Sequence, residues 1–445
     1  MILPPEAAPL LAALTPAFTQ PTARRFATLL AAALLTTGRR TVANLVRTLG
    51  PLAGGHRTTY QRVLSRAPWS TAAVGCALAG FILRHLLPAG PVVLVGDDTV
   101  DGHPGKKVYG KARHRDPVRS THSHTAWRYG HRWVVLAVLV RFPFATRRWA
   151  LPVLVALYRT PALNRSERRP HRTPAQLMCR LLRLLLIRCP GRAFVFVGDS
   201  AFGTHEVARF CHRHRTRLTL VSKLHPDANL FDPPPKYRGQ GRPPVKGRRR
   251  PKPRQAAARV RRLTPLRVDW YGGGTRRVGV VTASAHWFKS GHGLVPVRWV
   301  FVRDQTDTHR DEYLYTTDPA LTPARVIGLY CGRWNIETTF QECRSSLGLG
   351  TTRGWGRATV LRTAPCLFGL YSAVALLYHA LPGEHRTGAV AWPGKTGVTF
   401  SDALAAVRRR VWADGVFAQV DPDAGVAKLP PALRELLLTA LAPAP

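Results

Sequence analysis

The chain opens with apolar residues at helical spacing, interrupted at intervals by Gly and Pro. This periodicity predicts helices over 26–35, 42–49, 58–64 and 71–86. Thr41 stands where the N-cap of the second of these helices is expected. We therefore expect the first 88 residues to form an all-α domain. The polar and basic residues of 58–62 fit either a helix-turn-helix-like DNA reader or a small helical bundle that only packs.

From Pro91 onward the apolar residues form short runs instead. Residues 92–95 and 193–197 are both such runs, and each leads into Val-Gly-Asp, at Asp97 and at Asp199. Such runs, with polar residues at their C-terminal ends, are typical of buried strands. Further strands are expected at 133–140, 149–158 and 218–221, with helices at 173–189, where Thr173 and Pro174 form the start, and at 204–214. That order predicts an α/β core around a mixed sheet.

A strongly basic segment interrupts this core. Residues 236–262 hold twelve Lys and Arg and no acidic residue, with several prolines, so we expect a loop in the free protein. Strand-like segments resume at 266–270, 278–283, 297–303 and 312–316. We interpret this block as a β-rich insertion. Helices such as 401–412 follow towards the end of the chain, without a chemical motif.

Five regions follow from these patterns. They are a helical domain that is the candidate DNA reader (1–88), the first part of the α/β core (89–222), a β-rich insertion with a disordered basic loop at 232–262 (223–317), the second part of the core (318–381) and a C-terminal helical tail available for interactions (382–445).

The charge balance indicates the kind of partner. The chain carries 66 Lys and Arg against 24 Asp and Glu, a formal net charge of +42. A polyanion relieves the resulting self-repulsion and releases its own counterions, which favours nucleic acid. An anionic membrane surface is the alternative, but the basic residues lie all along the chain and not on one amphipathic helix.

The cysteines and apolar segments indicate a compartment. The seven cysteines are scattered and never spaced as C-x-x-C, which argues against a disulfide framework or a structural zinc site. The N-terminus lacks the basic region of a signal peptide. The apolar stretch 359–381 is interrupted by Arg362 and Pro365, so we expect a buried helix and no membrane span. These features predict a soluble protein of the bacterial cytoplasm, associated with the nucleoid.

The most informative segment begins at Thr322 and Pro323, a helix start. If one helix continues to position 344, its residues turn by about 100° each. Four polar residues then share a stripe roughly 60° wide beside an apolar face. These are Tyr330, Arg333, Glu337 and Arg344. A solvated helix can show such a line by chance, so the spacing alone does not settle a function.

The spacing Tyr330-x2-Arg333-x3-Glu337-x6-Arg344 resembles the Y-R-E-K signature of a large group of bacterial insertion-sequence DDE transposases. Arg344 stands where Lys is usual, which keeps a cation but changes its geometry. Trp334, Asp98 followed by Thr99, and the strand ending in Asp199 are also typical of that group. The resemblance implies a ribonuclease-H-like catalytic core, interrupted by a β-rich insertion between the second Asp and the Glu.

The resemblance also implies chemistry. Asp98, Asp199 and Glu337 would hold two Mg²⁺ ions, for which Mn²⁺ can substitute. Phosphodiester transfer needs an activated oxygen and a stabilised leaving oxygen, and two such ions held by hard carboxylate oxygens supply both. We choose Asp98 because the catalytic Asp of the group precedes a Thr. Neighbours on a strand point to opposite faces, so Asp97 is expected to be a structural acid, with ligation as its alternative. For Asp199 the alternative is a cap of the following helix.

DNA contacts are assigned to six residues. Tyr330, Arg333 and Arg344 are expected at phosphates near the cleaved bond, with Trp334 beside them. Arg333 could instead pair with Glu337 at i,i+4 and only stabilise the helix. Arg242 lies in a Gly-Arg-Pro triplet that resembles a minor-groove hook, and Tyr313 matches an aromatic on which some relatives stack a displaced base. The alternative for Arg242 is a place in a solvated loop, and the alternative for Tyr313 is the role of a packed strand aromatic.

Together these features predict a transposase that acts on double-stranded DNA as a homo-oligomer bridging two element ends. A metal-dependent nuclease without strand transfer, and a catalytically silent DNA-binding or regulatory protein derived from a transposase, are the alternatives.

Overall fold

One mixed β-sheet of eleven strands runs through the computed structural model, which describes residues 2–116, 120–237, 239, 241–417 and 429–443. The strands are β1 (Val92–Gly102), β2 (Ala112–Arg115), β3 (Trp127–Val140), β4 (Trp149–Tyr158), β5 (Phe194–Gly198), β6 (Leu218–Lys223), β7 (Leu230–Phe231), β8 (Thr264–Asp269), β9 (Thr275–Lys289), β10 (Gly293–Asp304) and β11 (Glu312–Thr316). The mixed α/β architecture is the one that the sequence predicts.

The two Val-Gly-Asp segments lie side by side at the centre of the sheet. β1 and β5 are parallel neighbours in a register that pairs Gly96 with Gly198. β6 continues the parallel arrangement beside β5. On its other side β1 pairs antiparallel with β3, which in turn pairs antiparallel with β4. The parallel pairing of β1 with β5 ends at Gly96 and Gly198, which places Asp97 and Asp199 side by side. β5 ends there, but β1 continues beside β3 to Gly102, so the expectation that Asp97 and Asp98 follow the end of a strand is wrong for β1.

The strands of the expected insertion belong to this same sheet. β11 pairs antiparallel with β6, where Thr316 lies opposite Val221. β10, β9 and β7 follow outward, and β8 pairs with the other half of β9. The insertion therefore extends the core sheet through backbone hydrogen bonds instead of forming a separate one.

Helices cover both faces of the sheet and form a layer of their own at one side. They are α1 (Ala8–Leu14), α2 (Gln20–Leu35), α3 (Val42–Leu49), α4 (Arg57–Ser65), α5 (Thr71–His85), α6 (Pro161–Ser166), α7 (Pro174–Arg188), α8 (His205–Arg213), α9 (Pro253–Ala258), α10 (Pro323–Gly332), α11 (Asn335–Ser345), α12 (Arg357–Ala380), α13 (Phe400–Arg410) and α14 (Pro431–Leu441). Thr41 caps α3 and Thr173 forms a capping box at the start of α7, both as predicted.

The two ends of the chain share one apolar core. α12 packs against β4 and also against α2, α4 and α5 from the beginning of the chain. α13 packs against α12 and α2, and its Arg408 is buried, with Nε donating to the carbonyl of Leu34 at 2.7 Å. The prediction of a C-terminal tail is therefore wrong for α13, because its apolar face completes the core of the N-terminal helices.

α12 is long and apolar enough to cross a membrane by length and composition, and 67% of its most apolar window is buried inside the protein. That burial agrees with the buried helix expected from the sequence. It packs as the central helix of the apolar core.

The basic loop is more ordered than expected in one part. Pro253–Ala258 forms helix α9, whose buried Ala257 packs towards β10, and the amide of Arg250 donates to the carbonyl of Leu230 at 2.8 Å. Apolar contacts through its alanines offset the charge of the flanking residues. Residues 238 and 240 of this loop, and 418–428 and 444–445 of the expected tail, lie outside the described residues.

Candidate active site

A cavity of about 580 Å³ opens where the pairing of β1 with β5 ends. Asp98, Asp199 and Glu337, the three carboxylates singled out in the sequence, all line it. Two further carboxylates and five arginines complete its charged lining, so the cavity is electrically balanced before an ion or a phosphate enters. These are Asp97, Asp116, Arg115, Arg128, Arg132, Arg333 and Arg344.

The segment that carries Glu337 is two helices and not one. α10 ends at Gly332 and α11 begins at Asn335. Across the junction the backbone hydrogen bonds span three residues, as in a 3₁₀ helix. The amide of Arg333 donates to the carbonyl of Tyr330, and the amide of Glu337 donates to the carbonyl of Trp334. The side chain of Asn335 also donates to the carbonyl of Gly332 at 2.9 Å. The single straight stripe expected from about 100° per residue is therefore wrong beyond Gly332.

Arg333 lies in this junction and joins the helix to the sheet. Its Nη1 donates to Oδ2 of Asp97 at 2.6 Å, and its Nη2 donates to Oε1 of Glu337 at 3.0 Å. Its side chain is only 8% exposed, while that of Glu337 is 37% exposed. Burial alone would lower the pKa of Arg333, but Asp97, Tyr330 and Glu337 together raise it. The guanidinium therefore stays charged and fixes Glu337 at the cavity wall.

Asp97 and Asp98 point to different partners, as alternation along a strand requires. Asp97 faces α11 and binds Arg333, whereas Asp98 accepts two hydrogen bonds from Arg132 of β3, from Nε at 2.7 Å and from Nη2 at 2.6 Å. Burial raises the pKa of Asp97 to about 7, with Arg333 opposing the shift and the charges of Asp199 and Asp98 adding to it.

Asp199 is held by the turn that follows β5. Its Oδ1 accepts hydrogen bonds from the amides of Ala201 at 3.0 Å and Phe202 at 3.3 Å. Burial raises its pKa, with Asp98 adding to the shift and Arg333 opposing it. The N-cap of α8 is Thr204, so Asp199 closes the turn before the helix and does not cap the helix itself.

The family comparison adds an independent observation. Residues 13–277 match the model of a family described as DDE superfamily endonuclease, and this span contains Asp98 and Asp199 and covers more than half of the chain. The chain belongs to the DDE superfamily endonuclease family. It is therefore an enzyme of the endonuclease class, and such endonucleases use divalent metal ions. The match ends before Glu337, so that residue stands on the geometry of the cavity and on the sequence signature.

No curated protein matches this DDE endonuclease. Among solved structures, it is similar to the piggyBac transposase in a synaptic complex with hairpin DNA, at 10% identity and a TM-score of 0.43. The similarity covers 96% of this chain and 77% of that chain. A likeness of that size carries no argument about activity.

The donor set of the endonuclease suits a hard divalent cation, because carboxylate oxygens of Asp98, Asp199 and Glu337 line one cavity. In the described residues, however, no three His, Cys, Asp or Glu side chains stand close enough together to hold an ion as they are placed. The ion pairs explain this, since Arg132 occupies both oxygens of Asp98 and Arg333 holds Glu337. Arg132 would have to release Asp98 before this carboxylate could hold a metal ion.

The six residues assigned to DNA occupy different places. Arg344 lines the cavity and donates to Thr99 Oγ1 at 2.7 Å. Tyr330 is 4% exposed and does not line the cavity. The guanidinium of Arg333 lies over the Tyr330 ring, 5.7 Å from the ring centre, so Tyr330 supports Arg333. Trp334 is half exposed beside Tyr271, in a neighbouring cavity.

The other two assigned residues lie in the insertion and not at the cavity. Tyr313 packs on Phe301 within the sheet, with ring centres 5.1 Å apart, which matches the packed strand aromatic given as its alternative. Arg242 is exposed in the basic segment.

Sequence reasoning missed Arg132 and Arg128, which enter the cavity from β3. The available signal is that three basic residues, Arg128, His131 and Arg132, stand in the first half of the strand, whereas residues 133–140 are all apolar. Their role depends on the β1–β3 register, in which Asp98 lies opposite Val134 and therefore on the same face as Arg132.

Proposed function

We propose that this DDE endonuclease is a transposase, which cuts DNA at the ends of a mobile element and joins the exposed 3′-hydroxyl to a target. The observation that carries the proposal is the convergence of Asp98, Asp199 and Glu337 on one cavity, from the middle of β1, the end of β5 and the helix α11. The strand order β4-β3-β1-β5-β6, with β3 alone antiparallel to β1, supports a ribonuclease-H-like core.

DNA as substrate is supported by the wall of the cavity. On the hairpin of β2 and β3, Arg115 lies opposite Trp127 and Arg113 opposite Tyr129, and all four side chains are exposed. The Arg113 guanidinium lies 4.2 Å from the centre of the Trp127 ring. Alternating arginines and aromatics suit phosphates and unstacked bases. Arg115 and Arg128 then lead from this hairpin into the cavity.

Each polar group has a distinct task in the proposed reaction. Asp98, Asp199 and Glu337 would hold two Mg²⁺ ions, which when bound supply Lewis-acid activation of the attacking oxygen and neutralise charge at the leaving oxygen. Arg333 orients Glu337 and balances the buried charge of Asp97. Arg344 and Arg128 face the same cavity and would bind the phosphates beside the cut bond. Arg132, once it leaves Asp98, joins them.

The proposed setting is the bacterial cytoplasm, where an oligomer of the enzyme holds two element ends together. The test uses a plasmid that carries the DNA flanking the gene, incubated with the purified protein, a second plasmid and Mg²⁺ or Mn²⁺. A transposase nicks the flanks and links them to the second plasmid. Cleavage without linkage would identify a nuclease, and binding without cleavage a silent DNA-binding protein.

The matched variants are Asp98→Asn, Asp199→Asn and Glu337→Gln, with Glu342→Gln as the control. Glu342 lies on the same helix but outside the cavity, and its carboxylate accepts a hydrogen bond from Ser346 at 3.4 Å. We expect each of the three site variants to lose about a hundredfold to a thousandfold in cleavage rate while the control keeps its rate, since removal of one stabilising group commonly costs about 10²–10³. Normal cleavage by all three site variants would reject the assignment.

A further inference from the structure

A second charged cavity, of about 360 Å³, lies between α7 and α8. Five arginines line it, together with one carboxylate, that of Glu206. We call it the arginine groove, and the five residues are Arg172, Arg180, Arg183, Arg209 and Arg213. With His292 neutral, this lining carries a net charge of +4.

None of the five arginines of the groove forms an ion pair with a carboxylate in the described part of the chain. Glu206 accepts a hydrogen bond from Nε2 of Gln176 at 3.1 Å instead. Arg183 lies over the ring of Phe210, 5.6 Å from its centre. Five guanidinium groups that repel one another at one surface are stabilised by an anion.

The spacing of the arginines follows the helices. Arg180 and Arg183 are three residues apart on α7, and Arg209 and Arg213 are four apart on α8, so each pair lies on one helix face. The opposite face of α7 is apolar and buried, through Met178 among others. The groove is thus the solvent side of two helices that pack on the sheet. α7 has fifteen residues and is about 22 Å long, which equals roughly six nucleotide steps of one DNA strand.

The groove is connected to the active site through β5. α8 begins at His205, six residues after Asp199, and α7 lies against the sheet so closely that a Cβ on Gly96 would come within 2.6 Å of Met178 Cε. Gly96 is two residues from Asp98 on β1. The two helices that line the groove are therefore attached to, or packed on, the strands that carry the site carboxylates.

We propose that the arginine groove binds the phosphate backbone of duplex DNA that flanks the cleaved bond. This inference rests on the proposed function, because it assumes that DNA occupies the active-site cavity. The groove offers guanidinium groups to a row of phosphates and one carboxylate to repel them, so it adds affinity and position without reading sequence. Its contacts release counterions and make binding depend on salt.

The test measures binding of a 40-base-pair fluorescent duplex of arbitrary sequence over a range of KCl concentrations, without divalent ions. The groove variant is Arg180→Gln/Arg183→Gln/Arg213→Gln. The matched control, Arg165→Gln/Arg188→Gln/Arg434→Gln, removes the same charge from three exposed arginines outside the groove. Each phosphate contact contributes about 0.9 to the slope of log K against log salt, so the groove variant should lose about 2.7 from that slope. The control should lose less than 1.

A second variant reverses the sign. Glu206→Gln removes the carboxylate of the groove, and we expect it to tighten duplex binding several-fold, whereas Glu167→Gln, an exposed acid outside the groove, should change it little. The proposal would be overturned by equal losses of salt slope in the groove variant and its control, or by a Glu206→Gln variant that binds duplex no more tightly than the wild type. If the wild-type protein binds no duplex at all, the proposed function fails as well. If it binds and cuts DNA while the groove variant binds equally well, only the groove is wrong.

Discussion

Arg132 binds both carboxylate oxygens of Asp98, at 2.7 and 2.6 Å. The pair is partly exposed, with 32% of the arginine side chain and 13% of the aspartate side chain accessible. A guanidinium bound in this way occupies the oxygens that a cation would need. Metal binding and the Arg132–Asp98 pair therefore compete.

Arg132→Gln should lower the Mn²⁺ concentration at which thermal stabilisation by the metal is half maximal. A partly exposed ion pair is worth about 1 kcal/mol, which corresponds to a shift of about fivefold. Thermal unfolding over a Mn²⁺ titration measures it. Arg128→Gln is the control, because Arg128 lines the same cavity and removes the same charge but donates only to the carbonyl of Val100, at 3.5 Å. Equal shifts in both variants would show that charge alone is responsible.

Arg333→Gln should lower the free energy of unfolding by about 3 kcal/mol, because it leaves Asp97 buried beside other aspartates without its cation. Asp97→Asn/Arg333→Gln should recover much of that loss. Urea denaturation of the wild type, both single variants and the double variant measures the coupling energy. A coupling energy near zero would contradict the buried pair.

Glu337→Gln, by contrast, should change stability by less than about 1 kcal/mol, since Glu337 is the more exposed partner of Arg333. The same urea experiment measures it. The variant thus separates the catalytic role of Glu337 from the structural role of Arg333, because we expect it to abolish cleavage while the protein stays folded. A loss of stability as large as that of Arg333→Gln would mean that Glu337 is structural.

Asp304, at the end of β10, predicts a dependence of stability on pH. Burial alone would raise its pKa, but hydrogen bonds from the amides and hydroxyls of Thr306 and Thr308, together with Arg276, lower it to about 2. An acid whose pKa is lower in the folded state stabilises the fold above its ordinary pKa, near 4, and loses this effect as the pH falls towards 2.

Asp304→Asn should therefore cost roughly 2 kcal/mol at pH 6, and the difference from the wild type should shrink by pH 3. Denaturant unfolding at the two pH values measures it. Asp311→Asn serves as the control, since Asp311 is 39% exposed and pairs only with Arg303, so we expect a small difference at either pH. A difference for Asp304→Asn that stays constant with pH would contradict the mechanism.

Arg408→Met should destabilise the protein by about 3 kcal/mol. The buried guanidinium donates to the carbonyl of Leu34 at 2.7 Å, in the last turn of α2, and to that of Thr36 at 3.3 Å, just after it. Without it these acceptors lose their donor in an apolar core. Thermal and urea unfolding measure the loss. Arg410→Met is a useful comparison, because Arg410 pairs with the carboxylates of Glu6 and Asp414 nearer the surface and should cost less.

The sequence predicts most elements of the fold, because period and capping are local properties. The strand at 149–158 and the helix starts at Thr173 and Thr322 lie where they were expected. The break after Gly332 was not predicted, since the residues around it are compatible with a continuous helix and only packing decides where it bends. That α13 completes the core was also beyond reach, because it depends on a contact between opposite ends of the chain.

The candidate site shows the same division. The two Val-Gly-Asp segments and the spacing around Glu337 predicted which acidic residues line one cavity. They did not predict which arginines pair with those acidic residues. Arg132 reaches Asp98 through strand register, and Arg333 reaches Asp97 through a helix junction. The spacing of residues along the chain predicts neither of these two ion pairs. The roles of Asp98, Asp199 and Glu337 as metal ligands stay predictions.

The pairing of β11 with β6 has a mechanical consequence. α10 begins seven residues after β11 ends, so the strand that the insertion returns to the core is also the support of the Glu337 segment. The insertion and the segment that carries Glu337 are therefore anchored to the core by the same short ladder of backbone hydrogen bonds. A substitution that disrupts this ladder would disturb both of them at once.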